Sequence, residues 1–232
     1  VSIFVNPTQF GPGEDLENYP SDLERDSALA REAGVDALFT PVRDDMYGPD
    51  HGTWVTVPEL TANLCGRSRP IHFRGVATVV CKLFNLIQPA FAAFGEKDWQ
   101  QLAVIRKMTR ELDIPVRIEG RPIMREADGL AMSSRNVYLT PEERAVAPHI
   151  RRGLLLLEDL VRSGQTDADA LRAAVGKYYE AHIPMGRLDY LELVDPATIE
   201  TVDRVRADVL AAVALRLGKA RLIDNIHIAF ER

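Results

Sequence analysis

The stretch DGLAMSSRN fills positions 128–136, and its end gathers two hydroxyls, Ser133 and Ser134, beside the guanidinium of Arg135. Hydroxyls and a planar five-donor fork suit an oxygen anion, and the backbone N–H groups of a turn can complete a nest around it. Such a loop, closed over a polyphosphate, would stabilise charge as it develops. The bland alternative is a turn leading into the helix that starts at TPEE.

A second set lies in FGEKDWQQ, 94–101. A strand that ends in Gly95 and opens a helix exposes unpaired N–H groups at the positive end of a helix dipole. Gly95 leaves the backbone open to a ligand. Asp98 and Gln101, three apart, share one face of the first turn, and Lys97 adds a cation beside them. NPTQF (6–10) offers the uncharged amides of Asn6 and Gln9, suited to hydroxyl or carboxylate recognition, or else a polar turn shaped by Pro7. RSRPIHFRG (67–75) holds Arg67, Arg69, Arg74 and His72, either an anion-handling loop or a solvated basic one. The remaining histidines are scattered, and no Cys/His cluster has metal-ligand spacing. Neither a G-x-S-x-G elbow nor a Walker A lysine motif occurs.

These groups need a scaffold. VSIFV (1–5) has the continuous apolar character of an interior parallel strand. Ser21 and Glu24 form a capping-box pattern for a helix over about 22–33 with Gly34 as its stop, and VDALFTP (35–41) reads as the next strand. This β–loop–α–β rhythm implies a doubly wound α/β unit, whose ligands sit at the C-terminal strand ends. Apolar residues at 76, 79, 80, 83, 84 and 87 mark a helix over 75–89. AFAAF (90–94) and VRIEGRPIM (116–124) are strands on either side of the helix that FGEKD opens. Beyond Met124 the character changes. Thr140, Pro141 and Glu143 give an N-cap, a first-turn proline and an N3 acid, for a helix running toward Gly164 with a bend at Pro148. Asp167 caps another, to about His182. LDYLELV, VLAAVALRL and RLIDNIHIAF read as three strands of a small antiparallel sheet. The expected organisation is a Rossmann-like domain over 1–123 and a smaller α+β lid domain over 124–232 that carries MSSRN.

At 232 residues, with 46% apolar and 27% charged side chains, the chain has the make-up of a globular protein of one or two domains. Its net charge of −6 disfavours nucleic acid or a membrane surface as the main partner. No apolar run reaches the ~18 residues of a membrane span. Cys65 and Cys81 read as reduced core residues, pointing to a reducing cytoplasm.

Taken together, VSIFVNPTQF, RPIHFRGV, FGEKDWQQL, RPIMREADGLAMSSRN and ARLIDNI resemble the pantothenate synthetase (pantoate–β-alanine ligase) family, in family order and over nearly the whole chain. The resemblance implies a nucleotidyltransferase-type fold in which MSSRN takes the place of a KMSKS-type loop. It also implies ATP-dependent, magnesium-assisted condensation of pantoate with β-alanine through pantoyl adenylate. Gln9 and Gln101 would hold pantoate. Gly95, Glu96, Lys97 and Asp98 would contact ATP, with Asp98 on the ribose and Lys97 on phosphate. The Met124 backbone would meet adenine, and Met132, Ser133, Ser134 and Arg135 would wrap the phosphates. Lys97, Ser133, Ser134 and Arg135 form the expected catalytic set, with Asn6, Arg69 and His72 as lesser pocket members and Asp26 as a magnesium contact. A homodimer through the first domain is also implied. One departure stands out. The family's PTMG…LH.GH segment has no counterpart, and the chain opens without Met where the second strand would lie, so a preceding segment is expected. Alternatives are another adenylate-forming ligase or a non-catalytic nucleotide-binding remnant.

Overall fold

The computed structural model describes residues 1–14 and 16–230. In chain order the helices and strands are α1 (Leu23–Glu32), α2 (Arg43–Met46), α3 (Leu64–Ser68), α4 (His72–Ile87), β1 (Phe91–Gly95), α5 (Trp99–Glu111), β2 (Arg117–Arg121), α6 (Pro141–Val146), α7 (His149–Arg162), α8 (Ala168–His182), β3 (Arg187–Val194), β4 (Val209–Leu217) and β5 (Ala220–Ile228).

The first half keeps the expected α/β rhythm, but its sheet is smaller. β1 and β2 pair in parallel from Phe91↔Arg117 to Gly95↔Arg121, joined through α5. VSIFV and VDALFTP do not form ladder strands. They meet at a parallel bridge, Ser2↔Phe39, with Ile3 N–H donating to the Phe39 carbonyl at 3.0 Å and Phe39 N–H to that of Val1 at 2.8 Å. Each extended segment has its backbone groups matched on one side only, too few for a continuous doubly wound sheet among the described residues.

Three helix starts also differ from expectation. The N-cap of α1 is Asp22, whose carboxylate accepts from Arg25 N–H at 3.0 Å, not Ser21. A carboxylate one residue later meets the same orphan donors and suits the dipole better. The run 66–75 is not a loop, because α3 and the first turn of α4 occupy most of it. α6 and α7 are separate helices, with Pro148 as N-cap of the second, so the proline breaks the helix instead of bending it. By contrast, Thr140 and Glu143 form the full capping box, and Asp167 caps α8 through Ala170 N–H at 3.0 Å.

The second half builds the three-stranded antiparallel sheet β3–β4–β5. β4 is buried along nearly its whole length, which explains why VLAAVALRL is continuously apolar instead of alternating. Val209, Ala211, Val213 and Leu215 join a core with Leu154, Leu157, Leu171 and Val175 of α7 and α8. Leu210, Ala212 and Ala214 point the other way, into a core with Val76, Val80, Ile105 and Met108 of α4 and α5. An antiparallel sheet normally keeps one face for solvent; here one sheet serves two cores and welds the halves together.

Candidate active site

The start of α5 forms one wall of the site. Nothing lies within 4 Å of the place a Cβ would occupy on Gly95, so the backbone there is open to a ligand. Asp98 is the N-cap of α5 but makes no side-chain capping bond; its carboxylate lies 3.9 Å from Lys97 Nζ. The turn is pinned from the second half. Asn225 Nδ2 donates to the carbonyls of Glu96 and Lys97, both at 2.9 Å, and Trp99 stacks on His227 while its indole N–H donates to Pro196 at 2.8 Å. The adjacent glutamines divide the work. Gln100 is buried and donates to the Leu60 and Asn63 carbonyls, whereas Gln101 lines the cavity with Lys97 and Asp98.

NPTQF is fixed from beneath. Asn6, 2% exposed, accepts from the Tyr47 and Thr8 hydroxyls, each at 2.9 Å, and donates to the Gly75 carbonyl at 3.1 Å and to Gln9 Oε1 at 3.3 Å. A Cβ on Gly75 would stand 2.4 Å from the Thr8 carbonyl oxygen, so only glycine lets α4 approach this turn so closely. Asn6 therefore spends all its polar capacity inside the protein and orients the Gln9 amide.

The basic run separates on folding. Arg67 pairs with Glu192 at 3.6 Å and Arg74 lies over the Trp54 ring, leaving Arg69 and His72 in the cavity. Arg69 forms a two-pronged pair with Glu14, Nε to Oε1 at 2.8 Å and Nη2 to Oε2 at 2.5 Å. Burial raises the Glu14 pKa, but the bonds and charge of Arg69 outweigh it and hold the carboxyl below its ordinary value. His72 lies between the Gln9 carbonyl (Nδ1, 3.0 Å) and Arg69 Nη1 (Nε2, 3.3 Å). The arginine donates, so Nε2 accepts and Nδ1 carries the proton.

Burial first, then the charge of Arg69, push the His72 pKa down to about 4. The ring therefore enters the folded protein neutral. Since the unfolded chain takes up this proton first, near pH ~6.5, its contribution to stability is intact above that pH. It is lost as pH falls, and the loss saturates below about 4, at roughly 3 kcal/mol. His72→Gln is expected to lose less over this window. Urea melts at about pH 7 and about pH 4.5 check it: equal losses in both proteins would remove the assignment.

The MSSRN loop faces α5 across the cavity. Met124 to Met132 doubles back as a short hairpin, with an Arg125↔Ala131 bridge and Met132 N–H donating to the Met124 carbonyl at 2.9 Å. Met124 is 72% exposed and Met132 is also exposed. Ser133 caps a 3₁₀ turn over Ser134–Tyr138, accepting from Arg135 N–H at 3.3 Å. Ser134 Oγ donates to the Tyr19 hydroxyl at 3.2 Å, and the Arg135 guanidinium sits 5.5 Å from the centre of that ring. The hairpin is anchored where Arg125 grips the buried Asp224 through two bonds of 2.8 and 2.9 Å.

The cleft between these walls holds about 420 Å³ and is lined, among others, by Arg69, Lys97, Asp98, Gln101, Ser133 and Arg135. The structure thus gathers members of three of the four sequence sets in the cleft, while NPTQF does not line it. Gln9 and Asn6 stand behind Arg69 and His72, and Met124, Met132 and Ser134 sit on the outer hairpin and turn. Asp26, on α1, is not among the cleft residues, and the described residues contain no cluster of three or more metal-ligating side chains. Sequence reasoning gave no role to Tyr19, Arg125, Asp224 or Asn225. The last two lie in ARLIDNI, where an Asp-Asn pair inside an apolar strand was the available signal.

Comparison with known proteins bears on this arrangement. The family described as Pantoate-beta-alanine ligase matches residues 1–227. The chain is 59% identical over 228 residues to the pantothenate synthetase of Maridesulfovibrio salexigens, covering 98% of this chain and 81% of that protein. The crystal structure of pantothenate synthetase from Thermus thermophilus superposes with a TM-score of 0.93 at 50% identity, over 97% of this chain and 81% of that one. A Francisella tularensis pantoate-beta-alanine ligase, solved with beta-gamma ATP and beta-alanine, superposes with a TM-score of 0.74 at 30% identity, over 97% and 77%. No helix among the described residues is long and apolar enough to cross a membrane. With its sequence motifs converging on one cleft and this likeness running almost end to end, the chain belongs to the pantoate–β-alanine ligase family.

Proposed function

We propose that the cleft condenses pantoate with β-alanine in two steps. A carboxylate oxygen of pantoate attacks the α-phosphorus of ATP, forming pantoyl adenylate and expelling pyrophosphate. The β-alanine amine then attacks the acyl carbon, AMP leaves with the bond electrons, and the amine proton passes to solvent. Activation is needed because a free carboxylate is a poor electrophile. The observation that carries this reading is the opposition of Lys97 and Asp98, in the turn that opens α5, and Gln101 on α5 to Ser133 and Arg135 on the hairpin loop, across one cleft.

In this reading Gln9 and Gln101 hold pantoate. Gly95, Glu96, Lys97 and Asp98 meet the nucleotide, with Met124 near the base and Met132–Arg135 along the phosphates. Arg69 and neutral His72 shape the pantoate end. The chain acts by positioning reactants and by offering fixed dipoles to developing charge. The nucleotide-bound Francisella relative supports ATP and β-alanine as ligands. Any magnesium would ride on the phosphates, since no protein-built cluster offers itself among the described residues. Assembly as a homodimer through the first half belongs to the same proposal; a monomer in sedimentation velocity would remove it.

Pantoate-dependent exchange of labelled pyrophosphate into ATP tests the chemistry. Exchange that needs pantoate is the expected result. Exchange driven equally by other small acids would favour a different adenylate-forming ligase, and nucleotide binding with no exchange would favour a non-catalytic protein.

A further inference from the structure

The β3–β4–β5 sheet carries a row of cations that the roles above leave unused. Arg187 on β3 pairs directly opposite Arg216 on β4, and Arg216 directly opposite Arg221 on β5, so three arginines stand side by side on one face. Like charges in this relation destabilise a sheet. Only one is neutralised. A bulge beside Leu188 and Tyr190 turns Asp189 toward Arg221, which it meets at 2.7 Å. Arg221 also reaches the Ser68 hydroxyl at 3.4 Å and the Cys65 sulfur at 3.5 Å. Among the described residues, neither Arg187, Arg216 nor Lys219 at the hairpin tip has a carboxylate within 4.0 Å.

The row is not aimed at bulk solvent alone. Arg216, Lys219 and Arg221 line the same cleft as Lys97, Ser133 and Arg135. Along β5 the cations lie on the hairpin-tip side of the Asn225 contact. Asn225 sits over the Glu96–Lys97 turn, Ser133 shares a small crevice with Leu222 and Asp224, and Arg221 comes next toward the tip. Glu143, the acid beside the tip at Gly218, accepts from Thr140 N–H at 2.9 Å through Oε2 in the α6 capping box and comes within 4.0 Å of neither Arg216 nor Lys219. A chain of net charge −6 therefore concentrates unpaired positive charge on the part of the cleft wall that the β4–β5 hairpin supplies.

We infer that Arg216 and Lys219, with Arg221 held in place by Asp189, form a subsite for the pyrophosphate half of the nucleotide and receive it as the leaving group. This rests on the ATP-dependent reading above and adds residues to it. A group carrying three to four negative charges matches several unpaired cations better than a single carboxylate does. Charge offered where the leaving group accumulates favours departure over return.

The test measures binding of inorganic pyrophosphate by calorimetry to the protein and to R216A/K219A, with R216Q/K219Q as a second pair that keeps polar bulk. Pyrophosphate affinity is expected to fall about tenfold or more in both pairs. The KM for β-alanine should be unchanged, and the melting temperature unchanged or higher, since like-charge repulsion in the sheet is relieved. Unchanged pyrophosphate affinity overturns the inference. So does a raised β-alanine KM with pyrophosphate unaffected, which would assign the cations to the amino acid's carboxylate. Failure of the underlying reading would show separately, as absence of pantoate-dependent exchange in the unaltered protein.

Discussion

Arg135→Ala is expected to slow pantoate-dependent pyrophosphate exchange by about 10²- to 10³-fold, equivalent to roughly 2.7–4 kcal/mol of transition-state stabilisation. The guanidinium lies on the cleft wall opposite Lys97, oriented by the Tyr19 ring 5.5 Å beneath it and by the turn that Ser133 caps. A planar fork held in this way meets an anion without first being ordered, which is why its removal should act on the chemical step more than on ground-state affinity. Arg135→Lys should recover only part of the loss, because a point charge cannot reproduce the two-pronged geometry. The fold should survive, with thermal melts of variant and parent close together. Exchange within twofold of the parent would remove Arg135 from the catalytic set.

The largest expected loss of stability comes from a residue that does not line the cleft. Arg125→Ala should destabilise the protein by about 3–5 kcal/mol, a drop in melting temperature of the order of 10 °C. Asp224 is 3% exposed, and its carboxylate is met by two Arg125 bonds and by Asn225 N–H at 2.8 Å. Truncating the arginine leaves that charge buried and without its counter-ion. The expected companion result separates this cause from simple loss of packing: replacing both partners by apolar residues, Arg125→Met with Asp224→Leu, should restore much of the loss. A melting temperature of Arg125→Ala within a degree or two of the parent would show that the pair contributes little. Arg125 also donates to the Gly129 carbonyl at 3.0 Å, so the same variant should loosen the hairpin that presents MSSRN.

What the sequence made legible follows the range of the forces involved. Thr140, Glu143 and Asp167 announced their helices because caps act within a few residues. The three C-terminal strands showed through β-branched and apolar runs, and FGEKD through the glycine at a strand-to-helix junction. Long-range partnerships left no such mark. Nothing near RSRPIHFRG signals that Glu14 will neutralise Arg69, or that His72 will be driven neutral between Arg69 and the Gln9 carbonyl. The same blindness applies to Asn6. Its amide looks like a ligand donor in NPTQF, yet Tyr47, Thr8 and Gly75 use it up. VLAAVALRL illustrates the converse. Its continuous apolarity is visible in the sequence, while its reason, a sheet pressed between two cores, appears only in three dimensions.

From one face, strand β5 sends His227 to Trp99, Asn225 to the Glu96–Lys97 turn, Ile223 to the first-half core and Arg221 to Cys65 and Ser68. These four attachments recur every second residue, over a span of about 20 Å at the usual strand rise. The strand works as a graduated rule laid across the joint. Side chains along it can be exchanged one at a time with local effect. Its phase cannot be altered at all, because a slip of one residue would turn every graduation toward α7 and α8 and withdraw the supports of that cleft wall together. The Gly218–Lys219 turn that sets this phase should therefore tolerate a change of residue far better than a change of length.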